Sequence, residues 1–170
     1  MKTEATKTFS SKQEHLIADS LDWKVVAGSG AAPCTPGDVI SDEWLGECKT
    51  HVDKHKIFFD IKVWDKINNE AVVKHRNPVL FVDDGSQTLR GTWALCNRHN
   101  LNLSSCLVTG YRSTIRKNIS FDGDKMKSHL QKCMNGNSGG FFDSIMFAAK
   151  WEKYDVVFMP FETFKEIYLR

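Results

Sequence analysis

The sequence predicts an α/β domain with a mixed central sheet and helices on both faces. Three observations predict it. Short apolar runs with strand-like alternation flank a polar turn at residues 41–43. A long amphipathic stretch then leads into Val79-Leu80-Phe81-Val82, a buried-looking strand. Near the carboxyl end a strand-like run is followed by Pro160 and a second amphipathic segment.

Taken in order, residues 11–20 read as a helix and residues 23–27 as a strand. Residues 37–40 and 43–48 read as a strand pair, because Val, Ile, Trp and Leu alternate there with small or polar residues. A long helix is expected over residues 56–73, with Phe58, Ile61, Trp64, Ile67 and Ala71 on one face and Lys62, Lys66, Glu70 and Lys74 four apart on another. Asn77-Pro78 closes that region, and Asp83-Asp84-Gly85 turns the chain after the next strand. Residues 86–150 are harder to read: a strand at 106–108, a helix over about 123–134, and a flexible Asn135-to-Gly140 connection stand out. Residues 155–159 form the expected final strand, with a terminal helix through Phe164, Ile167 and Tyr168. No internal repeat is present.

The chemistry concentrates between Gly28 and Lys49. Successive side chains of a strand point to opposite faces, so Glu47 and Lys49 share one, with Cys48 and Leu45 expected off it. A hairpin closing at residues 41–43 brings Asp38 across from Glu47, so two carboxylates meet within reach of one hard cation. Oxygen ligands with waters suit Mg²⁺, and Mn²⁺ is expected to substitute. A lysine beside them can orient or help deprotonate an attacking water and offset phosphate charge. Gly28-Ser29-Gly30 lacks the third glycine of a dinucleotide fingerprint, and no Gly-Lys-Ser/Thr follows.

Pro36-Gly37-Asp38 followed by Glu47-Cys48-Lys49 resembles the PD-(D/E)XK nuclease superfamily, and Gly28-Ser29-Gly30-Ala31 is similar to its Holliday-junction resolvase branch. The resemblance covers residues 8–83 and implies a restriction-endonuclease-like fold. It implies catalytic roles for Glu14, Ser29, Asp38, Glu47 and Lys49, with metal held by Asp38, Glu47 and the Cys48 carbonyl. Three residues keep a second reading. Ser11-Lys12-Gln13-Glu14 is also a capping box, in which Glu14 would satisfy a helix-start donor. Ser29 either contacts phosphate or turns the chain. Lys66 pairs with Glu70 on the surface or, as the resemblance suggests, contacts DNA.

The 170 residues suffice for one domain with a real core, expected as residues 8–83 and 151–170 with a long insertion at about 84–150. Compact resolvases lack so long an insertion. Net charge is only +2, yet residues 85–150 carry nine bases, Arg112, Arg116 and Lys117 among them, against Asp122, Asp124 and Asp143. That excess either meets DNA phosphates or is a solvated surface. No apolar run approaches a membrane span, and the polar first ten residues are unlike a signal peptide, so a cytoplasmic location is expected. Five cysteines, odd in number and irregularly spaced, argue for free thiols. Cys96, His99 and Cys106 are poorly spaced for zinc.

The expected function is a Mg²⁺-dependent endonuclease on DNA, with branched DNA such as four-way junctions favoured. A general nicking or end-processing endonuclease is the alternative enzyme, and a non-catalytic DNA-binding module the alternative outside catalysis. Two opposed cuts on a junction imply a homodimer. Trp93, Leu95, Leu101 and Leu103, or Phe161, Phe164 and Tyr168, are either its self-complementary patch or core.

Overall fold

A strand buried on both faces forms the middle of the molecule, and its neighbours carry the candidate site. The computed structural model describes residues 4–27, 36–51, 55–104, 106–110, 115, 117–136 and 144–170. Helix α1 (Glu4–Leu21) precedes β1 (Lys24–Val25), β2 (Val39–Ile40), β3 (Trp44–Thr50) and β4 (Lys56–Phe59). Helix α2 (Ile61–Val73), β5 (Asn77–Asp83), β6 (Thr92–Asn97), β7 (Cys106–Gly110) and β8 (Ile119–Asp122) follow. Helix α3 (Gly123–Gly136), β9 (Ser144–Trp151), β10 (Tyr154–Pro160) and α4 (Phe161–Tyr168) complete the order.

Eight strands form one sheet in the order β1-β2-β3-β5-β6-β10-β9-β7. The β3–β5 and β7–β9 pairs are parallel and the others antiparallel, so the sheet is mixed. Strands β4 and β8 make a separate antiparallel pair. One sheet face packs Trp44, Cys48, Val79, Phe81 and Met159 against Ile17, Ala18 and Leu21 of α1 and Phe161, Phe164 and Ile167 of α4. The other packs Leu45, Leu80, Val82, Leu95 and Phe158 against Trp64, Ile67 and Ala71 of α2 and Ile57 and Phe59 of β4. Helices therefore cover both faces, as the sequence predicts.

Several boundaries differ. Helix α1 starts at Glu4, so Ser11 lies inside it and the capping-box reading of Glu14 falls. The long helix expected from residue 56 begins instead at Ile61. Asp60 caps it, its side chain accepting from the Lys62 amide at 2.9 Å, while Ile57 and Phe59 alternate inward on β4. His75, at φ 53°, turns the chain out of the end of α2.

Residues 84–150 contribute β6 between β5 and β10, and β7 and β9 beyond them, so this segment builds the sheet. Trp93 and Leu95 are wholly buried, as are Phe161 and Phe164, while Leu101, Leu103 and Tyr168 pack against the α1–α4 cluster. Both candidate dimer patches are therefore core. Residues 137–140 of the expected flexible connection lie outside the described residues. No described helix is long and apolar enough to cross a membrane.

Candidate functional site

The site forms where β2 and β3 run antiparallel. Val39 pairs with Gly46 and Ile40 with Leu45, and Asp38, just before this pair, lies beside the stretch of β3 that carries Glu47. Val39 packs into the α1 cluster and Ile40 against the α2 cluster; the Asp38 amide donates to the Gly46 carbonyl at 2.8 Å, so the chain steps out of register just before Val39 and the Asp38 carboxylate lies against the β3 backbone at Cys48, while Glu47 and Lys49 take the α2 face. Leu45 shares that face too, two residues from Glu47, and corrects the expectation that it lies off it. The close approach of β2 to β3 needs the glycine between them: a Cβ at Gly46 would come within 2.6 Å of Val39 Cγ2.

Asp38 is anchored by the strand beside it. Its Oδ2 accepts from the Cys48 amide at 2.8 Å, taking a backbone donor that a ladder bond would otherwise use. Burial first, then the charge of Glu47, raises its carboxyl from the ordinary 3.8 to about 6; the Cys48 hydrogen bond and Lys49 oppose this, and Glu14 adds to it. Glu14 belongs to the helix covering the other face, is 7 % exposed, and its charge acts on both Asp38 and Cys48. The acids predicted from sequence thus share one electrostatic neighbourhood.

Glu47 is 5 % exposed and held by two lysines. Lys49 Nζ donates to Glu47 Oε1 at 2.5 Å and to the Cys48 carbonyl at 3.2 Å. Lys66 Nζ, from α2, stands 3.6 Å from Glu47 Oε2 and 3.8 Å from Glu70 Oε1. Burial works to lower the Lys49 ammonium, but the charge and hydrogen bond of Glu47, with Asp38, outweigh it and hold the group above its usual range. Lys49 is therefore protonated at neutral pH.

Asp38, Glu47 and the Cys48 carbonyl are hard oxygen donors of the kind Mg²⁺ or Mn²⁺ takes, and the two carboxylates act on each other through their charges. Lys49 now bridges two of these donors, as a cation in their midst would. Among the described residues, no three His, Cys, Asp or Glu side chains are placed to hold an ion by themselves, so carbonyl and water oxygens would have to complete the shell.

Lys117 is exposed, its carbonyl accepting from Trp151 Nε1 at 2.8 Å. Ser29, Arg112 and Arg116 lie outside the described residues. Cys96 and Cys106 are buried in the α1–α4 cluster while His99 is exposed, so these three do not converge. Sequence reasoning missed Gln13, which is 2 % exposed and whose Oε1 accepts from Thr50 Oγ1 at 2.8 Å, tying α1 to the end of β3. It also missed the Lys66–Glu47 contact, and no sequence spacing joins residues on different elements. Comparison with protein-family models, with curated proteins and with solved structures found no match.

Proposed function

We propose that this chain is a metal-dependent DNA endonuclease, with the site chemistry of the PD-(D/E)XK nucleases its motif resembles, acting on branched DNA. One observation carries the reading: Asp38, Glu47 and Lys49 meet where β2 joins β3, Asp38 bound to the Cys48 amide and under the charges of Glu47 and Lys49, and Lys49 between Glu47 and the Cys48 carbonyl. A buried carboxylate, Glu47, beside a half-buried one, Asp38, needs a purpose beyond folding.

When bound, a divalent cation supplies Lewis-acid charge at the phosphate and acidifies water. Asp38, Glu47 and the Cys48 carbonyl would hold it. Lys49, already protonated, acts as a cation that orients the attacking water and offsets phosphate charge. The water oxygen bonds to phosphorus as the ester P–O bond breaks, the water proton passes to solvent, and the leaving sugar oxygen takes a proton from solvent. Glu14 adds negative charge that favours the cation, and Ser29 is assigned its phosphate contact by the resemblance alone. Lys66, Lys117, Arg112 and Arg116 supply phosphate contacts.

The test is incubation of the purified protein with four-way junction, fork, duplex and single-stranded DNA in Mg²⁺, each with and without chelator. Chelator-sensitive cleavage favouring the junction is expected. Binding without cleavage would leave a non-catalytic DNA-binding module, and cleavage without junction preference a general nicking enzyme. A homodimer on the junction follows from the need for two opposed cuts, and light scattering at micromolar concentration reads its mass.

A further inference from the structure

We propose that Lys66 is an exchangeable counter-ion of Glu47: it holds the carboxylate while no metal is bound and passes to a DNA phosphate when a metal takes its place. The inference rests on the reading of Glu47 as a metal ligand and extends it to the coupling between metal and DNA.

The two lysines at Glu47 are not equivalent. Lys49 belongs to β3 itself and makes a 2.5 Å hydrogen bond to Oε1 together with its bond to the Cys48 carbonyl. Lys66 reaches Oε2 from a different element at 3.6 Å, an ion pair without a close hydrogen bond, and its side chain is 56 % exposed. Its long stem reorients at little cost, so this is the contact a competing cation removes first. Glu70, one turn further along α2, keeps the ammonium nearby at 3.8 Å. Glu70 Oε2 is buried with no hydrogen-bond partner, so that carboxylate has capacity to spare. A dication at Glu47 attracts the carboxylate more strongly than Lys66 does and repels the ammonium itself. The displaced charge remains beside the site, where a phosphate lies in the bound state. Metal binding thereby creates one phosphate contact, and DNA binding reciprocally frees Glu47 for metal.

The experiment compares wild type, Lys66→Met and Lys66→Gln, with Lys62→Met as a control that removes an exposed charge from the same helix. Mn²⁺ binding without DNA is titrated through the free-ion electron paramagnetic resonance signal. Both Lys66 variants are expected to bind Mn²⁺ about fivefold tighter or more, and Lys62→Met to match wild type. Affinity for a four-way junction is then measured across a salt series in chelator and in Ca²⁺. The log–log slope of wild type should steepen by about one unit in Ca²⁺, and that gain should vanish in the Lys66 variants alone. Mn²⁺ affinity equal to or weaker than wild type in the Lys66 variants, or a slope gain they retain, overturns the proposal. Absence of Mn²⁺ binding by wild type and variants alike overturns the metal-site reading beneath it.

Discussion

Strands β3 and β6 flank β5 and are both buried, yet one is a core strand and the other a site. Their registers through β5 and β10 align Glu47, Leu80, Leu95 and Phe158 in one row across the sheet. Leu95 and Phe158 are wholly buried and Leu80 is 1 % exposed; Glu47, at 5 %, occupies the same row as a carboxylate. The apolar end of the row stabilises by removing hydrocarbon from water. At the other end a charge loses hydration and must be offset by Lys49 and Lys66, an arrangement that contributes little to stability and a great deal to local electrostatics. A single sheet thus holds charges rigidly at its margin because its middle is so well packed.

The sharpest way to break the comparison is to compare stabilities along that row. Leu95→Ala should cost about 3 kcal/mol in denaturant unfolding, since it empties space at the sheet centre. Glu47→Gln should change stability by less than about 1 kcal/mol, because Lys49 and Lys66 are half exposed and reach water. Equal losses in the two would mean that the charged end is as structural as the apolar one.

Activity should invert that order. Asp38→Asn, Glu47→Gln and Lys49→Ala are each expected to lose at least about a hundredfold in cleavage, roughly 2.7 kcal/mol of barrier, with folding intact and DNA still bound. Near-normal cleavage by Glu47→Gln would remove the metal-site assignment. Leu95→Ala, assayed well below its melting temperature, should cleave normally.

A smaller effect tests the burial of charge directly. Folded Asp38 keeps its proton up to about pH 6 against an ordinary 3.8, so between those values the folded protein binds more protons than the unfolded chain. Stability therefore falls as pH rises through that window. In chelator, Asp38→Asn should gain about 2 kcal/mol over wild type between pH 4 and pH 7, read from thermal melts at each pH. A constant difference across the range would refute the buried-carboxyl account. Least in magnitude, Ala at Arg112, Arg116 and Lys117 together should flatten the salt dependence of DNA binding by about one log–log unit per lost contact. An unchanged slope would place these side chains on solvated surface.

The pairing of Glu47 with Lys49 was legible because strand alternation is a local rule, and two residues apart on β3 means one face whatever packs upon it. The long-helix expectation failed at Phe58 because its spacing to Ile61 and Trp64 continues a helical stripe. Asp60 nonetheless caps the helix, and Ile57 and Phe59 pair with Phe121 and Ile119 of a strand some sixty residues later. Strand β8 was missed for the same reason, and the start of α1 because residues 4–10 carry no apolar periodicity. Lys66 on Glu47 and Gln13 on Thr50 depend on how helices dock, which a linear pattern does not encode.

The sulfur of Cys48 has a separate use. It lies between Glu47 and Lys49 in sequence but points to the α1 side, 1 % exposed, and burial pushes its thiol well above the ordinary range, with Asp38, Glu14 and Glu47 adding to the effect and Lys49 opposing it. A thiolate forms there only when β3 parts from its covering helix, whereas half-buried Cys133 is open to reagents without that event. The rate at which Cys48 is alkylated under native conditions is therefore a clock for the breathing of the site, built into the strand that carries it.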